Sequence, residues 1–69
     1  MEGVIFKILN DNERGKDGFL KCKNAEHYFS VSLDFHLTPR IGMNTKVLFQ
    51  LRSPIAGKKA SAKIIKIID

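Results

Sequence analysis

The chain has 69 residues, of which 43% are hydrophobic and 28% are charged, a composition typical of one folded domain over residues 1–69 rather than of a disordered chain. No apolar run approaches the roughly 20 residues of a membrane-spanning helix, and the first residues lack the features of a signal peptide. The net charge of +5 is unevenly placed, with −1 over residues 1–34 and +6 over residues 35–69. A basic half is typical of proteins that bind polyanions, but many small proteins are basic for solubility alone.

Three short strands are predicted in the first half of the chain. Residues 2–9 are mostly apolar and rich in Ile, Val and Phe, and they form the first strand, although both of its faces are apolar and the register stays open. Residues 10–15 have the composition of a turn. The second strand covers about residues 17–23, a tight connection follows at residues 24–25, and the third strand covers residues 26–32.

Alternation in the second and third strands predicts which side chains share a face. Phe19 alternates with Leu20 and is expected on the outer side of the sheet, next to Tyr28 of the third strand. The third strand has a polar and therefore outer face, and an apolar inner face. The outer residues are Tyr28, Ser30 and Ser32, and the inner ones are His27, Phe29 and Val31.

The second half begins with the longest connection of the chain. Residues 33–37 are expected to form one short helical turn, and residues 38–42 end it. A fourth strand follows, in which Val47, Phe49 and Leu51 share a face. The last strand is expected to begin with Lys59, and its alternation breaks at residues 65–67, which indicates a bulge.

No segment has sustained helical periodicity. Five short strands with one long connection predict an all-β protein, a small five-stranded antiparallel barrel, because closure removes the exposed edges of an open sheet. Phe35 and Leu37 in the long connection either cap the open end of this barrel or extend a binding surface, and capping is favoured.

Three segments resemble the cold-shock domain in order and spacing. Phe6-Lys7-Ile8-Leu9-Asn10 is similar to that family's first strand, Val-Lys-Trp-Phe-Asn. Arg14-Gly15-Lys16-Asp17-Gly18-Phe19-Leu20 looks like its first ribonucleoprotein motif, Lys-Gly-Phe-Gly-Phe-Ile, with one extra residue. His27-Tyr28-Phe29-Ser30-Val31 matches the second motif, and Gly57-Lys58-Lys59-Ala60 is similar to the closing Gly-x-x-Ala. The resemblance covers nearly the whole chain and implies an OB-fold barrel that binds single-stranded RNA or DNA.

The departures from the family lie in its base-stacking platform, where Lys7, Phe19 and Tyr28 are the residues retained position by position. Loss of several stacking rings, each worth roughly 1–3 kcal/mol, weakens binding by orders of magnitude. An acidic residue in the platform also repels phosphate. Four platform positions that differ are Ile8, Leu9, Ser30 and Val31. A fifth, the first aromatic of the first motif, corresponds either to Asp17 or to the inserted Lys16.

The sequence therefore predicts weak, largely sequence-nonspecific binding of single-stranded RNA or DNA. Phe19 and Tyr28 stack bases, and lysines neutralise phosphates. Each feature also has a structural interpretation: the ring pair stabilises a hairpin, and the lysines of the first half are solvated charges. The densest basic cluster forms either a phosphate-binding rim beside the sheet or a guard of an edge strand against aggregation, and the guard is favoured; it contains Lys58, Lys59, Lys63 and Lys66. The candidate binding residues are Lys7, Lys16, Phe19, Lys21, Tyr28, Ser30, Lys58 and Lys59, with Arg14 as a further possible phosphate contact.

A second hypothesis is a degenerate OB-fold module that has lost nucleic-acid binding and interacts with a protein partner. Ile8, Leu9 and Val31 would then form an apolar patch. No nucleophile–base pair is evident, and His27, His36 and Cys22 lack the spacing of metal ligands, so we expect no enzyme activity, metal or cofactor. Because one cysteine cannot form an intrachain disulfide, we expect a reducing, cytoplasmic location with no membrane partner.

Overall fold

The computed structural model describes residues 1–52 and 61–68, and within them it shows five strands that close into one barrel. The order around the barrel is β1-β2-β3-β5-β4. The prediction of an all-β, OB-fold-like five-stranded barrel is therefore confirmed. The strands are β1 (Glu2–Asn12), β2 (Gly15–Cys22), β3 (Ala25–Ser32), β4 (Lys46–Leu51) and β5 (Ala62–Ile67), and one 3-10 turn (Thr38–Arg40) lies between β3 and β4.

Four of the five strand pairings are antiparallel, as predicted, and the fifth is parallel. The parallel pairing joins β3 to β5 at a single pair of residues, Phe29 and Ala62. By contrast, β2 and β3 pair continuously from Gly15–Ser32 to Cys22–Ala25. The barrel is thus tightly closed between β2 and β3 and loosely closed between β3 and β5.

Two register shifts in β1 set which of its side chains face outward. Ile5 pairs with Leu20 but Lys7 pairs with Phe19, so one extra β1 residue is accommodated between them. Because a bulge breaks the alternation of side chains, Ile5 is fully buried while Lys7 is exposed. Strict alternation would have placed both on one face, and the bulge prevents this.

Gly18 allows the close approach of β1 and β2 next to this bulge. A Cβ atom at Gly18 would lie 2.0 Å from the backbone oxygen of Lys7, which real side chains do not tolerate. Gly15 is needed for its backbone conformation, because its φ of 134° is disfavoured for residues with a side chain. Both glycines fall in the segment that positions Phe19.

The core is formed by the inward faces of the strands. Ile5, Leu20, Phe29, Val47 and Phe49 are each fully buried. Burial of each such side chain contributes about 1.5–3 kcal/mol before the cost of ordering the chain. The prediction that Phe29 and Val31 face inward and Tyr28, Ser30 and Ser32 face outward is confirmed.

Several predicted boundaries differ from the structure. The predicted turn at residues 10–15 is shorter, because β1 continues to Asn12 and Asn12 Oδ1 accepts a hydrogen bond of 2.9 Å from the Arg14 N–H. The helical turn lies at Thr38–Arg40 rather than at residues 33–37. Pro39 favours the turn at this position because its ring fixes φ near the helical value. The start of the last strand at Lys59 lies outside the described residues.

Two further predictions about the second half of the chain are confirmed. A register shift in the pairing of β4 with β5 places a bulge at Ile65, where the alternation breaks. Phe35 is partly buried and packs against the core, as expected for a residue that caps the barrel. Thr38, in the same connection, is buried, and its Oγ1 donates a hydrogen bond of 2.6 Å to the Ser32 carbonyl.

Candidate nucleic-acid interface

Three aromatic side chains lie side by side on the outer face of β1, β2 and β3. The ring centroids of Phe6 and Phe19 are 6.5 Å apart, and those of Phe19 and Tyr28 are 5.8 Å apart. Phe19 and Tyr28 are direct cross-strand partners, as the sequence predicted. Tyr28 is 38% exposed, and Phe6 and Phe19 are half-buried. We call Phe6, Phe19 and Tyr28 the aromatic row.

Phe6 was not among the residues predicted for the site. Both faces of β1 carry apolar residues, and the bulge next to Phe6 has no local signature. Its aromatic type was the one available signal, since Phe6 stands two positions before the slot that the cold-shock resemblance assigns to tryptophan. The aromatic row is therefore longer by one ring than the sequence indicated.

The phenol of Tyr28 is held in place by a carboxylate. Its Oη donates a hydrogen bond of 2.8 Å to Asp17 Oδ2. This hydrogen bond, desolvation and the negative charge of Asp17 raise the pKa of Tyr28, and a weaker contact with the Ser30 hydroxyl opposes the shift. Asp17 thus orients the one tyrosine of the row.

A row of polar side chains crosses the same three strands next to the aromatic row. Asn10 pairs with Asp17, and Asp17 pairs with Ser30. Asp17 Oδ1 is buried and has no hydrogen-bond partner among the residues that the structure describes. Asp17 therefore brings a hydrogen-bond acceptor and a negative charge to the side of the aromatic row.

The predicted lysines separate into two groups. Lys7 and Lys21 are exposed on the outer face, and Lys21 lies opposite Glu26 in the pairing of β2 with β3. Lys16 has the same parity in β2 as the buried Leu20, so its side chain points toward the end of the barrel. Lys16 therefore does not lie on the outer face with Lys7 and Lys21.

The contacts of Lys16 are structural. Its Nζ donates a hydrogen bond of 2.8 Å to the Ile41 carbonyl and lies 3.9 Å from Asp11 Oδ2. The side chain is only 16% exposed. Lys16 thus ties β2 to the long connection between β3 and β4 instead of facing a ligand on the aromatic row.

The remaining predicted residues also differ in their placement. Ser30 is exposed and adjoins Tyr28, whereas Lys58 and Lys59 lie outside the described residues. The apolar patch predicted for a protein partner does not form, because Val31 is only 8% exposed and Ile8 packs against the core. Of that patch, Leu9 alone is exposed.

The other polar residues singled out in the sequence have structural surroundings. His27 stacks against the buried Phe49 with a centroid distance of 5.7 Å, and Cys22 packs against the core. Across residues 1–52 and 61–68, no three His, Cys, Asp or Glu side chains group together in a way that would hold a metal ion. The same part of the chain contains no helix with the length and hydropathy needed to cross a membrane.

Comparison of the chain with protein-family models, with curated proteins and with solved structures finds no match. The resemblance to the cold-shock domain therefore stays a prediction from the residues, and the geometry of the outer face carries the functional argument.

Proposed function

We propose that the outer face of β1, β2 and β3 binds single-stranded nucleic acid, RNA or DNA, weakly and with little sequence preference. The observation that carries the proposal is the aromatic row, in which three rings lie on one accessible sheet face. Unpaired bases stack on such rings regardless of their identity, because every base has a π-face. The cold-shock-like order of the segments that carry Phe19 and Tyr28 supports the same function.

The charges on this face explain why the binding should be weak. The positive charges of Lys7 and Lys21 are offset there by two carboxylates. Asp17 lies beside the aromatic row, and Glu26 lies opposite Lys21. Counterion release, which dominates the affinity of most nucleic-acid-binding proteins, therefore contributes little at this face. Stacking, at roughly 1–3 kcal/mol per base, is left as the principal source of affinity.

The alternative to stacking is a purely structural ring pair. A cross-strand aromatic pair stabilises a sheet by up to about 1 kcal/mol, and Phe19 with Tyr28 has the geometry for it. The two interpretations differ in what removal of the rings changes. A structural pair affects the free energy of unfolding alone, whereas a stacking pair also affects the affinity of the folded protein for an oligonucleotide.

The test is a titration of fluorescently labelled oligo-U and oligo-T of about ten nucleotides, followed by anisotropy at low and moderate salt. The double variant Phe19→Ala/Tyr28→Ala should bind at least about 30-fold more weakly, as two lost stacking contacts require. Ile65→Ala is the matched control, because Ile65 is 38% exposed like Tyr28 but lies on β5. Circular dichroism establishes that each variant is folded.

The proposal fails if the wild-type protein binds neither oligonucleotide at low salt. It also fails if the double variant, while folded, binds as tightly as Ile65→Ala.

A further inference from the structure

We infer that the phosphates of the bound strand lie in a groove between β3 and β5 and are held there by Arg52 and Lys63. The inference rests on the proposed function and adds the path of the nucleic-acid backbone, which the aromatic row alone does not define. We call this the β3–β5 groove. Its polar lining is Ser30, Ser32, Arg52 and Lys63, and its apolar lining includes Val31 and Phe35.

The groove is a consequence of how the barrel closes. β3 and β5 pair only at Phe29 and Ala62, so the later residues of β3 have no register partner in β5. Arg52 follows the end of β4, where its backbone N–H donates a hydrogen bond of 2.8 Å to the Ser61 carbonyl just before β5. This bond places the guanidinium-bearing residue at the same end of the groove as Lys63.

The two cations of the groove lack an anionic partner in the part of the chain that the structure describes. Within residues 1–52 and 61–68, neither the Arg52 nor the Lys63 side chain has an ion pair or a hydrogen bond, and both residues are exposed. Lys16 shows the contrast, since its ammonium group has both a carbonyl and a carboxylate partner. No described carboxylate lines the groove.

The chemistry of the lining fits a phosphodiester. The guanidinium group of arginine presents a planar fork of N–H donors to two phosphate oxygens, and lysine adds a point charge. The exposed hydroxyls of Ser30 and Ser32 on the opposite wall are neutral donors to the same oxygens. The lining therefore suits an anion that presents several oxygens, as each phosphodiester of a nucleic-acid strand does, rather than an apolar molecule.

The groove also adjoins the aromatic row. Ser30 belongs to the groove and lies two residues beyond Tyr28 on the same face of β3, about 7 Å along the strand. A nucleotide whose base stacks on Tyr28 therefore has its phosphate within reach of this wall. The strand would cross the sheet with its bases on β1–β3 and leave over β5.

The salt dependence of binding tests this path. In the double variant Arg52→Gln/Lys63→Gln, the slope of log affinity against log salt concentration for an oligo-U of about ten nucleotides should fall in magnitude by about 1.4, or about 0.7 for each phosphate no longer contacted. Lys46→Gln/Lys66→Gln is the matched control, because it removes the same charge from exposed positions of β4 and β5 outside the groove. The control should change the slope by less than half as much.

Equal slopes in the two double variants would overturn the inference, because the cations would then act only as a diffuse field. In that case a loss of affinity in Phe19→Ala/Tyr28→Ala would leave the proposed function standing. If the wild-type protein binds no oligo-U at low salt, both the proposed function and the groove are overturned.

Discussion

The β1–β3 side of the barrel and the β4–β5 side differ in both ring content and charge. Residues 1–32 contain five Lys or Arg and five Asp or Glu, and they supply the whole aromatic row. Residues 46–52 and 61–68 contain four cations and no carboxylate side chain, and their one aromatic residue, Phe49, is buried. The rings and the uncompensated charge are thus on separate regions that meet at the β3–β5 groove.

This separation teaches that the two sources of affinity can be varied independently. Stacking on the β1–β3 side should be nearly insensitive to salt, whereas phosphate contacts on the β5 side should weaken as salt rises. Removal of Phe19 and Tyr28 should have the largest effect of all on affinity, and removal of Arg52 and Lys63 should act mainly through the salt dependence. Two smaller effects sharpen the comparison.

Lys16 and Lys21 test whether a lysine of β2 serves the fold or the ligand. Lys16→Met should lower the free energy of unfolding by about 1–2 kcal/mol, because the charged hydrogen bond to the Ile41 carbonyl is lost, and should leave oligonucleotide affinity unchanged. Lys21→Met should lower the oligonucleotide affinity modestly at low salt and should leave the urea midpoint of unfolding unchanged. A weaker affinity in folded Lys16→Met would contradict the structural role assigned to this lysine.

The smallest effect concerns the ionisation of Tyr28. Because its phenol donates to Asp17, the pKa of Tyr28 should lie above the usual value of about 10 in the folded protein, and Asp17→Asn should lower it. Tyr28 is the sole tyrosine and the chain has no tryptophan, so the near-ultraviolet absorbance of the phenolate reports this group alone.

The sign of the linked stability change follows from the direction of the shift. A pKa that is raised in the folded state means that the interaction stabilises the fold below about pH 10 and is lost as the pH rises through the folded pKa. Asp17→Asn should make this dependence smaller, because desolvation of the phenol remains when the carboxylate is removed. An identical pKa of Tyr28 in the wild-type protein and in Asp17→Asn would show that the carboxylate does not orient the ring.

The outer face of β3 could be predicted because its alternation is unambiguous. Polar Ser30 and Ser32 flank the apolar Val31, so only one register buries the apolar side chains. Phe19 and Tyr28 could be predicted as cross-strand partners because both strands alternate clearly and are close in sequence. A short connection between two alternating strands leaves few possible registers, and the structure has a two-residue turn in which Lys23 adopts a φ of 56°.

The rest of the candidate site depends on features with no local signature. Phe6 could not be assigned to the aromatic row from the sequence, because both faces of β1 carry apolar residues and a bulge interrupts the register next to it. Lys16 was a candidate phosphate contact because of its charge, whereas its parity with Leu20 in β2 directs it inward. Arg52 and Lys63 are brought to the groove by the parallel contact of β3 with β5, a long-range pairing that no window of the sequence encodes.

The emission of Tyr28 during addition of an oligo-U is the sharpest test of stacking on the aromatic row. The chain contains no tryptophan, so its tyrosine fluorescence comes from the one ring of the row that we place under a base and that emits. Stacking predicts saturable quenching whose midpoint agrees with the affinity from anisotropy, and Phe19→Ala should shift both midpoints together. Binding that raises the anisotropy of the oligonucleotide and leaves Tyr28 emission unchanged would place the nucleic acid elsewhere on the barrel and contradict the account.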